Sequence, residues 1–128
     1  MVDRSHRRSD RPATIGHDAE ALAEKFLSRH GLLPVTRNYR CRRGEIDLVM
    51  RDADTLVFVE VRRRSSRTFG GGVESVSATK RARLVAAAEH YLMMHRIGDD
   101  RPCRFDVVAI DGPPLHTTID WVHDAFDT

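Results

Sequence analysis

A chain of 128 residues and 14.6 kDa has the size of one domain with a single core. Its 41% hydrophobic and 31% charged residues are ordinary for a soluble globular protein. No stretch approaches the roughly 20 apolar residues that cross a bilayer, which excludes a membrane helix.

Residues 1–13, rich in Arg, Ser, His and Asp, have little to bury and are expected to form a disordered basic arm ahead of a single domain over 14–128. Their arginines are followed by no apolar run, so they do not read as a secretory signal, and a cytoplasmic location is expected. From Ala19 the apolar residues Ala19, Leu22, Ala23, Phe26 and Leu27 fall on one face of an amphipathic helix that ends at Gly31. Residues 32–40, with Pro34, Val35 and Tyr39, predict an edge strand. The runs 45–51 and 56–64, separated by Asp52, Ala53 and Asp54, predict an antiparallel hairpin. The second run is apolar on both faces and should be a central strand covered on each side. Residues 65–72 read as a mobile, glycine-rich connection without a nucleotide-binding pattern. Ser77 should cap a second helix that runs through Leu84, Val85, Ala88, Tyr91 and Leu92 to a stop at Gly98. Residues 103–111 predict a fourth strand, and 117–126 a fifth strand or partial turn. The order helix, three strands, helix, strand implies an α/β sandwich, one mixed sheet flanked by helices.

Cys41 and Cys103 are too few for a disulfide framework or a zinc site and are expected to be reduced and structural, and the seven histidines include no metal-ligand spacing. Charge is more informative. The first twelve residues hold four Arg against two Asp and account for the net +2, residues 37–67 carry nine Arg against five acids, and residues 96–128 carry three Arg against seven Asp. A local arginine stripe suits a phosphate-bearing partner, because guanidinium forks bind phosphate oxygens and displace counterions. It equally suits a solvated face in an Arg-biased composition.

The anomaly is the presence of Glu45, Asp47 and Glu60 inside the strongest β runs, where carboxylates are poor strand formers and costly to bury without compensation. Alternation puts Glu45 and Asp47 on one face, as it does Glu60 and Arg62. If Arg51 pairs with Leu56, Asp47 lies opposite Glu60 and Glu45 opposite Arg62, with Cβ atoms ~5 Å apart. A slip of one residue separates them. In the first register the patch suits a hard divalent cation, Mg²⁺ or Mn²⁺, and phosphodiester hydrolysis. A cross-strand ion pair of Glu60 or Glu45 with Arg62 explains the pattern equally well.

The segments Gly44-Glu45-Ile46-Asp47-Leu48, Val57-Phe58-Val59-Glu60-Val61-Arg62 and Arg104-Phe105-Asp106-Val107-Val108, with Lys80, Gly16 and Glu20, closely resemble the YraN family of bacterial proteins. That resemblance runs from about Ile15 to Phe126. It implies a restriction-endonuclease-like fold of αβββαβ order with a PD-(D/E)xK nuclease motif, related to archaeal Holliday junction resolvases. It implies Asp47 as a metal-binding Asp and Glu60 as the second acidic ligand. Glu45 and Glu20 correspond to accessory acids, and Arg62 stands where the motif has Lys. Arg stays charged, so it can clamp and orient a phosphate but not act as general base. Lys80 is a candidate for the missing ammonium. The catalytic set implied is thus Asp47, Glu60, Arg62, Glu45 and Lys80, flanked by Arg42, Arg43, Arg63, Arg64 and Arg67 against a DNA backbone read by shape. A symmetric homodimer, as in related resolvases, would serve the cutting of two strands. The competing expectation is a nucleic-acid-binding or scaffold protein that keeps the fold without turnover.

Overall fold

A computed structural model describes residues 15–64 and 77–126. The expected arm over 1–13, the connection over 65–72 and Arg67 lie outside the described residues, as does the side chain of Arg64. The elements run α1 (Ile15–Arg29), β1 (Leu33–Cys41), β2 (Gly44–Asp52), β3 (Thr55–Arg64), α2 (Ala78–Met94), β4 (Cys103–Asp111), a 3₁₀ turn (Pro114–His116) and β5 (Thr118–Val122). The strands form one sheet in the order β1-β2-β3-β4-β5. It is mixed: β3 and β4 pair in parallel across the α2 crossover, and the other neighbours are antiparallel. The tail of the chain, left open as strand or turn by its sequence, closes the sheet as β5.

The two faces of the sheet explain why the chain folds this way. Val57 and Val59 of β3 join Leu48, Met50, Val108 and Ile110 in a core closed by Ala19, Ala23 and Leu27 of α1. Leu56 and Phe58 join Ile46, Val49 and Phe105 in a second core closed by Leu84, Ala87, Ala88 and Tyr91 of α2. A strand with both faces covered must be apolar throughout, which accounts for the LVFV run and puts β3 at the centre. Helix α2 starts where Ser77 Oγ accepts the Lys80 N–H at 3.1 Å, satisfying one of the free donors of the first turn. Gly31, at φ +98, ends the loop after α1 in a conformation open to glycine without strain.

Both cysteines are free, as expected, but Cys103 is exposed rather than part of the core. Among the described residues, no helix is long and apolar enough to cross a membrane.

Candidate acidic site

The hairpin register is the one in which Arg51 pairs with Leu56, and the ladder runs from Asp52–Thr55 to Leu48–Val59. There it stops. The expected cross-strand pairs Asp47–Glu60 and Glu45–Arg62 do not form, because Asp47 Oδ2 accepts the Val61 N–H at 2.8 Å and takes the place of a backbone carbonyl. From this point β3 continues along β4, Glu60 beside Val107 and Arg62 beside Ala109, while β2 continues along β1, where Glu45 pairs with Arg40. The two strands part, and Asp47 fills the notch.

Four elements bring groups to this notch. Glu60 belongs to the α2 face of β3 and is 4% exposed. Its Oε2 lies 3.0 Å from Lys80 Nζ, delivered by the first turn of α2. Glu20, 9% exposed, comes from the apolar border of α1 and hydrogen-bonds Asp47. Glu20 Oε1 is buried without a hydrogen-bond partner. Asp47 therefore sits between the two faces rather than on one face with Glu60, and the acids act on each other through the gap in the sheet.

Electrostatics follow from that crowding. Glu60 is pushed up to about 7, first by burial and then by the charge of Asp47, against the opposing pull of Lys80 and Arg62. Glu20 is also pushed up to about 7, by burial first and Asp47 next, with Asn38 and Arg37 opposing. Burial raises Asp47 as well, although the Val61 N–H and Glu20 favour its charged form. Two of the three carboxyls thus hold protons near neutrality unless a cation replaces them.

Of the remaining residues expected from the sequence, Glu45 lies beside the notch and the arginines are spread over the turn and the two faces of β3. Glu45 is largely exposed, lies 3.5 Å from Arg40 Nε, and lines a recess of about 280 Å³ with Glu60, Thr79, Lys80 and Arg83. Arg62 is half-buried on the α2 face, and Arg63 lies on the opposite face of β3, so one strand of nucleic acid cannot meet both. Arg42 and Arg43 are exposed at the turn between β1 and β2. A larger hollow, about 520 Å³, lies toward the other end of α2 over Phe58, Phe105 and Phe126 and takes no part in the notch.

Two further residues shape the site, Arg83, which no sequence motif marks, and Gly44, whose close packing on α2 no local pattern reveals. Arg83 reaches the recess because α2 presents it one turn after Thr79 and Lys80. Gly44 lies against α2 so closely that a Cβ there would overlap the Arg83 carbonyl. Gly44→Ala must lift α2 off β2 and with it Lys80 from Glu60. A loss of about 1–3 kcal/mol in urea denaturation is expected, as for overpacking elsewhere, and a change below about 0.5 kcal/mol would show that the contact is slack.

The donor set suits a hard divalent cation: every available ligand is a carboxylate oxygen, and one buried oxygen lacks a partner. Among the described residues, no three acid, imidazole or thiol groups form a ready coordination set. An ion would rest on two carboxylates with solvent or phosphate completing its shell, the usual habit of Mg²⁺.

Comparison with known proteins adds the family. The model of "Uncharacterised protein family UPF0102" matches residues 19–110. A UPF0102 protein of Methylobacillus flagellatus is 51% identical over 112 residues, 88% of this chain and 96% of its own length. One from Nitrosomonas europaea is 52% identical over 88% of this chain and 92% of its own length. One from Pseudomonas aeruginosa is 47% identical over 99% of both chains.

Proposed function

The chain belongs to the UPF0102 family, and from its acidic notch we propose a metal-dependent endonuclease-like protein that hydrolyses phosphodiester bonds in DNA, including branched or structured DNA. The observation that carries this reading is the convergence of Glu20, Asp47 and Glu60 with Lys80 where β2 and β3 part. Buried acids that raise one another's pKa weaken a fold, and a site that holds them is a candidate for chemistry. The resemblance of the Gly44–Leu48 and Val57–Arg62 segments to the PD-(D/E)xK motif supports the same reading.

Asp47 and Glu60 would hold Mg²⁺ or Mn²⁺, with Glu20 and Glu45 as accessory acids. The bound ion would supply charge stabilisation at a phosphodiester oxygen and lower the pKa of an attacking water. The protein's own groups do the rest. Lys80, in the recess beside Glu60, and Arg62 bind and orient phosphate oxygens. Glu20, protonated near neutrality, holds a proton at the Asp47 carboxylate within the notch. Arg42 and Arg43 at the hairpin turn, Arg63 and Arg64 at the end of β3, and Arg67 after it in the sequence would meet the DNA backbone, which confers affinity without base readout. Cutting both strands of a junction would take two copies of the chain. The arginine at position 62, where the nuclease motif has lysine, favours one other reading: a DNA-binding protein without turnover.

Incubation of the purified protein with linear, nicked and four-way DNA plus Mg²⁺ or Mn²⁺, beside Asp47→Ala and Glu60→Ala, tests the proposal. Cleavage should fall by at least about a hundredfold in both variants. DNA affinity should stay equal or rise, since each variant removes anionic repulsion. Cleavage that persists in both variants would place the activity elsewhere; salt-dependent binding without cleavage would leave the binding reading.

A further inference from the structure

Asp47 owes its place to a change of face in the hairpin that carries it. Residues two apart on a strand share a face, yet Ile46 lies in the core under α2 and Leu48 in the core under α1. The facing strand does the same. Arg37 reaches Glu24 of α1 at 2.8 Å, while Tyr39 packs with the α2 core and meets His90 of α2. Both strands therefore turn over at one position. There Arg37 pairs with Leu48 and Tyr39 with Ile46, but the intervening Asn38 and Asp47 make no pair. Asn38 has φ +56. Among the described residues, four non-glycine positions have positive φ, and the other three, Ala53, Arg96 and Asp124, lie outside strands and α-helices.

We propose that Asn38 is a positioning residue: its left-handed backbone turns the β1–β2 hairpin over at a single rung and so delivers the Asp47 carboxylate into the notch, onto the Val61 N–H and beside Glu20. Asparagine is among the few non-glycine residues that adopt this conformation readily, and a β-branched residue is nearly barred from it. In a regular strand Asp47 would lie on one face of the sheet, its carboxylate withdrawn from the edge of β3. The Asn38 amide also hydrogen-bonds Glu20, a contact glycine would lose, so the two contributions can be separated. The inference deepens the proposed reading of the site, and only its metal arm rests on that reading.

The test compares Asn38→Gly, which keeps the left-handed conformation, with Asn38→Val, which opposes it, and with Asn38→Ala should the valine variant not fold. Hydrogen exchange of the Val61 amide is followed by NMR, with the Val108 amide of β4 as internal reference, and Mn²⁺ affinity is measured by calorimetry. Asn38→Val should speed Val61 exchange about tenfold or more relative to Val108. It should also weaken Mn²⁺ binding about 10–100-fold, the usual effect of displacing a group that orients a ligand. Asn38→Gly should keep Val61 protected and hold Mn²⁺ within about threefold of the parent protein. Unchanged Val61 protection in the valine or alanine variant would overturn the proposal, and so would a glycine variant as impaired as valine. If the parent protein binds no Mn²⁺, the metal reading falls and the exchange data alone decide the role of Asn38.

Discussion

Asp106→Ala should cost the fold about 3–5 kcal/mol, the usual consequence of removing one partner from a buried ion pair. Asp106 is fully buried in β4. Its Oδ1 accepts Arg104 Nε at 3.0 Å and the Asp124 N–H at 2.9 Å, and its Oδ2 accepts Arg104 Nη2 at 3.2 Å and Trp121 Nε1 at 2.9 Å. Arg104 continues to Asp52 at 3.0 Å, so one carboxylate ties the β2–β3 turn, β4 and the end of β5 together. The alanine variant leaves a guanidinium, an indole N–H and a backbone N–H without their acceptor in a desolvated place. Urea denaturation of the two proteins measures the difference, and a loss below about 1 kcal/mol would mean that water or Asp52 replaces the carboxylate. Asp106→Asn should lie between the two, since it keeps one acceptor oxygen and loses the charge.

The second large effect is on pH dependence. Stability of the metal-free protein should fall between about pH 5 and about pH 8, and Glu60→Gln should remove roughly 3 kcal/mol of that fall. Glu60 titrates at about 7 in the fold against 4.5 in an unperturbed chain. The folded state therefore binds more protons than the unfolded state in this window. Its stabilising contribution is complete below pH 4.5 and is lost as pH rises through about 7. Glu20 has the same sign and shares Asp47 as neighbour, so its contribution is not independent. Chemical denaturation in a chelating buffer across the range, on the parent and on Glu60→Gln, isolates the term. Parallel curves for the two proteins would show that Glu60 is charged without penalty. On the proposed function, Mg²⁺ or Mn²⁺ should restore stability at the alkaline end, since an ion that binds only the folded state stabilises it by mass action.

Much of this molecule follows from short-range pattern. The 3.6-residue spacing of Ala19, Ala23, Phe26 and Leu27 made α1, and the unbroken apolar run of β3 required a covered central strand. Asp52, Ala53 and Asp54 placed the turn that set the Arg51–Leu56 register. Carboxylates inside β2 and β3 marked the site because their burial is expensive wherever the strands go. Local pattern assumes, however, that a strand keeps its alternation, and β2 does not. Whether Asp47 pairs across the hairpin or opens it depends on Asn38 in another strand and on the Val61 N–H left free by β3. The meeting of Glu20 with Asp47, and of Lys80 with Glu60, depends on where α1 and α2 settle on the sheet. Likewise Asp106 reads in sequence as one more acid in an apolar strand, and only the return of β5 supplies the Trp121 and Asp124 donors that make it a structural keystone. Local pattern was thus enough for the two helices, the first four strands, their layering and the acids that would be costly to bury, while β5 and the meeting of those acids came from packing. Those contacts join residues far apart in the chain, and no local periodicity encodes the distance between packed elements.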